Sequence, residues 1–257
     1  MKITFLGTGT SQGVPVIACA CEVCISTDRH DKRLRVSVLI EEAGKSVVID
    51  AGPDFRYQML RAGVKHLDAI LFTHEHKDHV AGLDDVRAFN FKQQSEIDVY
   101  ADVRVQSALK KEFHYIFSEA KYPGIPRIEL HEIKADQPFI VAGFDIIPIS
   151  VMHYKLPVFG YRIGDFTYIT DAKTMDQENI AKIRGSKIVV INALQKESHI
   201  SHLTFDEAIS LAGEIRAEQT YLTHISHRLG RHRDVCAELP TGIFLAYDGL
   251  QLEVNHK

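Results

Sequence analysis

Thr73-His74-Glu75-His76-Lys77-Asp78-His79 follows directly on Leu67–Phe72, a short and mostly apolar run. A run of this length rich in Ile, Leu and Phe reads as a buried strand. The polar segment therefore begins where a sheet ends, on the kind of rigid support that presents functional groups. His74 and His76 stand at alternate positions and can converge on one metal ion, while Asp78 and His79 point elsewhere and can hold a second. Imidazoles joined by a carboxylate suit Zn, Mn or Fe. A solvated polar loop would have no reason to place these four side chains at a strand end.

On either side the chain alternates strand-like runs with helical patterns. The strand-like runs are Ile3–Leu6, Val36–Ile40, Val47–Ile49, Ala69–Phe72, Ile97–Tyr100, Phe144–Ile149, Phe159–Ile163, Thr167–Ile169, Lys187–Ile191, Thr220–Leu222, Ile243–Ala246 and Leu250–Val254. Helical patterns cover Asp54–Arg61, stopped by Gly63, then Asp102–Phe113, Asp176–Arg184 and Thr204–Arg216. In the last of these Thr204 and Glu207 have the spacing of a capping box, and Phe205, Ala208, Ile209, Ala212 and Ile215 share one stripe. No repeat, low-complexity tract or linker interrupts the pattern. Residues 1–257 are therefore expected to form one domain of two packed sheets with helices outside.

Hydrophobic residues make up 45% of the chain and charged residues 25%, enough for an ordinary core in a water-soluble fold. The net charge of -4, with both signs spread along the chain, argues against a nucleic-acid surface built on bulk charge. The apolar part of Met1–Gly7 is too short for a secretory signal, and no stretch approaches a membrane span. A cytoplasmic protein without membrane partners is expected, and a homodimer stays open.

Cys19, Cys21 and Cys24 are too close together for good disulfides with one another, and a reducing compartment disfavours them further. Thiolate ligation of zinc explains the cluster better and predicts a Cys-rich metal loop at about residues 13–30. Cys236 lies in a helical pattern and is expected as a small core residue. Gly7, Gly9 and Gly13 follow a strand, but Gln12 stands where a dinucleotide loop needs glycine. They read as turns that bring the Cys loop toward the metal-bearing edge. Arg228, Arg231, His232 and Arg233 form a basic cluster that suits either a phosphate or a solvated helix face.

His74, His76, Asp78 and His79 compose an HxHxDH motif, in which the chain resembles the metallo-β-lactamase superfamily. The resemblance implies an α/β (α+β) fold, a four-layer αββα sandwich with metals at one edge of the paired sheets. It also implies three further ligands, for which His153, Asp171 and His224 stand at strand ends in the required order. His74, His76 and His153 would then hold one ion, Asp78, His79 and His224 the other, and Asp171 would bridge them. Asp50, in an early Asp-x-Gly with Gly52, would lie behind the ligands and accept an N–H from one imidazole. A plain turn aspartate is the alternative.

A narrower likeness covers nearly the whole chain. Gly7-Thr8-Gly9-Thr10, Gln12-Gly13-Val14-Pro15, the three cysteines, His153-x-Lys155-Leu156, Leu222–His227 and Tyr247-Asp248-Gly249-Leu250 together resemble the PhnP-like phosphoribosyl cyclic phosphodiesterases. This implies two catalytic divalent metals, Zn or Mn, and one structural Zn held by Cys19, Cys21, Cys24 and His227. Asn192 departs from the pattern, since the family has an acidic residue there. The segment Asn192–Ser201 is expected to face substrate and retains His199 and His202 as candidate proton donors.

Two closely spaced ions lower the pKa of water and neutralise phosphodiester charge. The expected activity is hydrolysis of a cyclic or small phosphodiester, a small-molecule substrate, with Asp78, His202 and His199 as catalytic residues. One alternative is another hydrolase of this fold, a thioesterase, lactonase or tRNA-processing nuclease. The nuclease relatives carry a long exosite arm that nothing here resembles. A second is a non-hydrolytic protein resembling pyrroloquinoline-quinone biosynthesis protein B, which shares the Cys-x-Cys-x-x-Cys loop. The full catalytic ligand set favours the enzyme, and a redox di-iron protein would carry Glu in place of His76.

Overall fold

The computed structural model describes residues 1–118 and 122–254. The first sheet contains β1 (Lys2–Gly7), β2 (Ser37–Glu42), β3 (Lys45–Ile49), β4 (Ala69–Leu71), β5 (Ile97–Ala101) and β6 (Ile128–Glu132), side by side in that order. The second contains β7 (Phe139–Val141), β8 (Phe144–His153), β9 (Leu156–Ile163), β10 (Phe166–Tyr168), β11 (Ile188–Asn192), β12 (Gln219–Thr223) and β13 (Ile243–Leu245), again as neighbours in sequence order. The last strand, β14 (Gln251–Glu253), returns to the first sheet and pairs antiparallel with β1.

Two-residue periodicity divides each strand between two cores. In β3, Val47 and Ile49 face the other sheet and join Phe5, Leu71, Tyr161, Tyr168 and Val190 between the layers. Val48 faces outward into a second cluster with Leu39, Ile70, Phe55 and Val105. In β11, Val190 points inward while Val189 and Ile191 pack outward with Ile180, Ala208 and Ala212. The outer clusters are closed by α1 (Phe55–Ala62), α2 (Lys77–Val80), α3 (Arg87–Gln93), α4 (Val103–Glu112) and α5 (His114–Phe117) on one face. On the other face α6 (Gln177–Ile183), α7 (Phe205–Ile215) and α8 (His232–Glu238) do the same. The architecture is the four-layer αββα sandwich.

Local signals set several boundaries. Thr204 accepts from the Glu207 amide while the Glu207 carboxylate accepts from the Thr204 amide, so α7 starts in a closed capping box. Gly63 adopts φ 67 and ends α1 by donating to the Leu60 carbonyl. Five short elements with weak patterns, β6, β7, α2, α3 and α5, are absent from the sequence expectation. β6 is an edge strand whose polar Glu129, His131 and Glu132 hide its alternation, and α3 buries Phe89 and Asn90 only. Cys236 also differs from expectation: α8 buries Val235 and turns the Cys236 thiol outward. Among the described residues no helix is long and apolar enough to cross a membrane.

Candidate metal centre

Strand ends deliver the site. Asp50 follows β3, His74–His79 follow β4, His153 ends β8, Asp171 lies beyond β10 and His224 follows β12. Asp50, Asp171 and His224 take left-handed backbone angles, φ 64, 58 and 55. For a residue with a Cβ such a conformation costs about 1–2 kcal/mol and persists only where surrounding contacts enforce it. Here they do. The Asp50 amide donates to Leu71 O at 2.9 Å, and beyond His224 the Ile225 amide donates to Thr8 O at 2.9 Å. The ligand loop is clamped to the second sheet by the Phe159 amide on Thr73 O (3.0 Å) and the Tyr161 hydroxyl on Phe72 O (2.5 Å).

Most of the expected ligands gather around Asp171, while His76 meets His74 and His153 and joins none of the donor groups. His79 Nε2 lies 3.3 Å from Asp171 Oδ2 and 3.2 Å from Asp78 Oδ2. His224 Nε2 lies 3.2 Å from Asp171 Oδ1 and 3.9 Å from Asp78 Oδ2. His74 Nε2 is 3.0 Å from His76 Nδ1, and the His76 and His153 rings are 5.2 Å apart. The donor atoms form overlapping groups, His74 with His79 and Asp171, Asp78 with His79 and His224, and His153 with Asp171 and His202. His202 thus stands among the ligands, its ring 4.7 Å from that of His224. His199 lies further out, 5.1 Å from His202, with Nδ1 accepting from the Ser201 amide.

The donor set fits divalent metal. His79 Nε2, His202 Nδ1 and both nitrogens of His224 are buried without a hydrogen-bond partner among the described residues. Leaving such groups unsatisfied is costly, and a cation among His79 Nε2, His224 Nε2 and Asp171 removes the cost for the nitrogens that face it. Burial opposes ionisation of Asp171, but His224 and then His79 outweigh it and hold the carboxyl well below its usual range. For Asp78 the facing His79 likewise overcomes burial. Burial, reinforced by His79, keeps His74 neutral. Ligands in these states are ready for a metal.

Asp50 lies behind this set, fully buried, and receives the Thr73 amide at 2.9 Å and the Thr73 hydroxyl. His79 Nδ1 is 2.7 Å from its Oδ2, so the Nδ1 proton is donated to the Asp50 carboxylate. That arrangement turns His79 Nε2 toward the ligands and sets its tautomer. Thr73 stands in the motif segment, but nothing local in the sequence assigns it the two bonds to Asp50.

A second donor set lies beside the first. Cys19, Cys21 and Cys24 Sγ stand 3.3, 3.4 and 3.5 Å from His227 Nδ1. Tetrahedral zinc with ordinary Zn–S and Zn–N bonds has ligand edges of about 3.5 Å. A hydrogen bond from the Cys24 amide outweighs burial and lowers the Cys21 thiol to about 6, while burial pushes Cys24 up to about 11. Two residues of the basic cluster brace this loop: Arg231 pairs with Glu22 at 3.5 Å, and the His232 amide donates to Asp31 at 2.7 Å.

Asn192 requires a correction. It was expected to face substrate, yet it is 0% exposed and its side-chain amide binds the backbone of Ala172. It ends β11 between two paired strands, where the sheet itself encloses it.

Comparisons with known proteins agree with this architecture. The family model of the beta-lactamase superfamily domain matches residues 45–225. An octanoyltransferase of Porphyromonas gingivalis (strain ATCC BAA-308 / W83) is 43% identical over 100% of this chain, which spans about half of that protein, 52% of its length. A ribonuclease Z of Bradyrhizobium diazoefficiens is 26% identical over 90% of the chain and 91% of that protein. Among solved structures, a diphosphatase from the PhnP family is 40% identical, with a TM-score of 0.93 over 99% of this chain and 98% of its own.

Proposed function

The chain belongs to the metallo-β-lactamase superfamily and within it to the PhnP family of metal-dependent hydrolases, and from that premise we propose that it hydrolyses a small phosphodiester, cyclic phosphodiesters included. The observation that carries this reading is the convergence of buried, partnerless imidazole nitrogens on the Asp171 carboxylate. His74, His76 and His153 would hold one ion, Asp78, His79 and His224 the other, and Asp171 both. Divalent ions there supply the positive charge that acidifies water and neutralises phosphoryl oxygens.

The chain's own residues orient that chemistry. Asp50 holds the Nδ1 proton of His79, and the Ser201 carbonyl accepts from His153 Nδ1 at 2.9 Å, so each imidazole turns its Nε2 inward. Burial and then His224 hold His202 down at about 2, so its ring is neutral at physiological pH. In this reading His202 donates a hydrogen bond from its N–H to the leaving alkoxide, and solvent supplies the proton that the alkoxide takes up. His199, whose ring lies 5.1 Å from that of His202, is the second candidate for this role.

A second reading has one observation in its favour. The 43% identical relative is an octanoyltransferase, which suggests an acyl thioester substrate. Its name covers a protein about twice as long, so the acyl chemistry can reside in the half this chain does not span.

Purified protein analysed for metal and offered 2′,3′-cyclic nucleotides, ribose cyclic phosphates, nucleoside diphosphate esters and acyl thioesters separates the two. About three metals per chain with turnover of a phosphate ester is the expected result. Asp78→Ala should abolish turnover while leaving the Cys site loaded. One metal per chain without hydrolysis, or turnover of thioesters alone, would overturn the reading.

A further inference from the structure

Asn192 closes on the backbone of a single residue. Its Oδ1 accepts from the Ala172 amide at 2.7 Å and its Nδ2 donates to the Ala172 carbonyl at 3.0 Å. The chemistry fixes the orientation of the amide, because a flipped side chain would set donor against donor and acceptor against acceptor. Ladder pairing of β10 with β11 ends at Tyr168–Val190, followed by the Ile169 amide on Val190 O. Ala172 has already left the sheet; its carbonyl also accepts from the Leu203 amide at 2.9 Å, while its amide is held by the Asn192 side chain.

Ala172 directly follows Asp171, whose φ of 58 needs outside enforcement. The next residues extend the same brace. The Ala193 amide donates to Thr223 O (2.8 Å), just before His224, and the Leu194 amide to Leu203 O (3.0 Å), just after His202. Leu194 O accepts from the Ser226 amide (3.0 Å), just before His227. One buried segment therefore holds the backbone beside four site residues from three different elements.

We propose that Asn192 is a positioning residue for Asp171: its amide clamps Ala172 and so sets the carboxylate that the two metal positions share. It acts through Ala172 and touches neither metal nor substrate. The inference rests on Asp171 being a shared ligand, as in the proposed function. In this chain the amide makes both bonds, whereas a carboxylate, the group the PhnP-like pattern carries here, can accept from the Ala172 amide but cannot donate to its carbonyl, and an alkyl group makes neither bond.

The test compares wild type, Asn192→Leu and Asn192→Asp, each loaded with zinc and titrated with a competing chelator. The Cys site is followed separately, through the fraction of thiols protected from a disulfide reagent. Loss of a group that orients a metal ligand costs about 10–100-fold in metal affinity. Asn192→Leu should show that loss at the imidazole–carboxylate pair while the thiols stay protected. Asn192→Asp keeps one of the two bonds and should fall between Leu and wild type. A purely electrostatic role predicts the opposite sign, because an added negative charge attracts cations. Wild-type affinity in Asn192→Leu, an equal loss at both metal sites, or Asn192→Asp at or above wild type would overturn the proposal. Should Asn192→Leu fail to melt cooperatively, the sign for Asn192→Asp decides. A wild-type protein that takes no metal at the pair would overturn the proposed function itself.

Discussion

Gly52→Ala adds one methyl group at the tightest contact in the site. Gly52 does not adopt a positive φ, so backbone strain is no obstacle and space alone decides. A Cβ there would stand 1.9 Å from the Asp78 carbonyl oxygen and 2.9 Å from its carbon. Real Cβ contacts essentially never fall below 3.0 Å, so the two segments must part by about 1.1 Å. Gly82 packs as tightly on residue 52, its own Cβ position lying 2.1 Å from Gly52 O and 2.6 Å from Phe55 Cβ. The displacement is therefore shared with Asp78 and its neighbour His79. Overpacking of this kind costs about 1–3 kcal/mol of stability. A misplacement of about 1 Å in a catalytic constellation lowers the rate about 100-fold, equivalent to about 2.7 kcal/mol. The assay is kcat/KM on the phosphodiester that wild type turns over, paired with chelator titration and urea unfolding. Gly52→Ala with kcat/KM within about twofold of wild type and unchanged metal affinity would refute the claim that this contact positions the ligand loop.

Gly213→Ala is the matched control: no atom lies within 4 Å of its Cβ position inside α7, so the variant should gain about 0.5–1 kcal/mol in urea unfolding and keep full activity. Thr204→Ala removes the acceptor for the Glu207 amide and should cost about 1 kcal/mol in the same measurement. His232 is held down to about 4 by burial and then by Arg33, whose guanidinium faces its Nδ1 at 3.1 Å. The unfolded ring titrates near 6.5, so the fold favours the neutral form; the contribution is complete above about pH 6.5 and is lost as pH falls toward 4. Allowing for its partial exposure, roughly 1–2 kcal/mol should disappear over that window in wild type relative to His232→Asn. A difference in urea stability between the two proteins that stays constant from pH 7 to about 4.5 would contradict this assignment.

Much of the centre was legible one segment at a time. An apolar run that ends in His74-Glu75-His76-Lys77-Asp78-His79 shows both a strand and what it carries, because strand periodicity and ligand spacing are properties of neighbours in sequence. The same holds for the capping box of α7, for Gly63 at the end of α1, and for the crowding of Cys19, Cys21 and Cys24. The order of His153, Asp171 and His224 at later strand ends could be read as well, although their meeting could not.

That meeting is tertiary. Asp171 reaches His79 and His224 only because β10 and β12 flank β11 and the second sheet packs on the first. The left-handed turns at Asp50, Asp171 and His224 decide where those side chains aim, and such turns are enforced by distant partners such as Leu71 and Thr8. Asn192 shows the limit most clearly. Its position in sequence suggested substrate, whereas its burial between paired strands and its two bonds to Ala172 make it a brace. Chain order alone determined which chemical groups this protein owns and which strand ends bear them. The packing of the two sheets determined which groups share a metal position, since convergence depends on distances across the fold that no local pattern encodes.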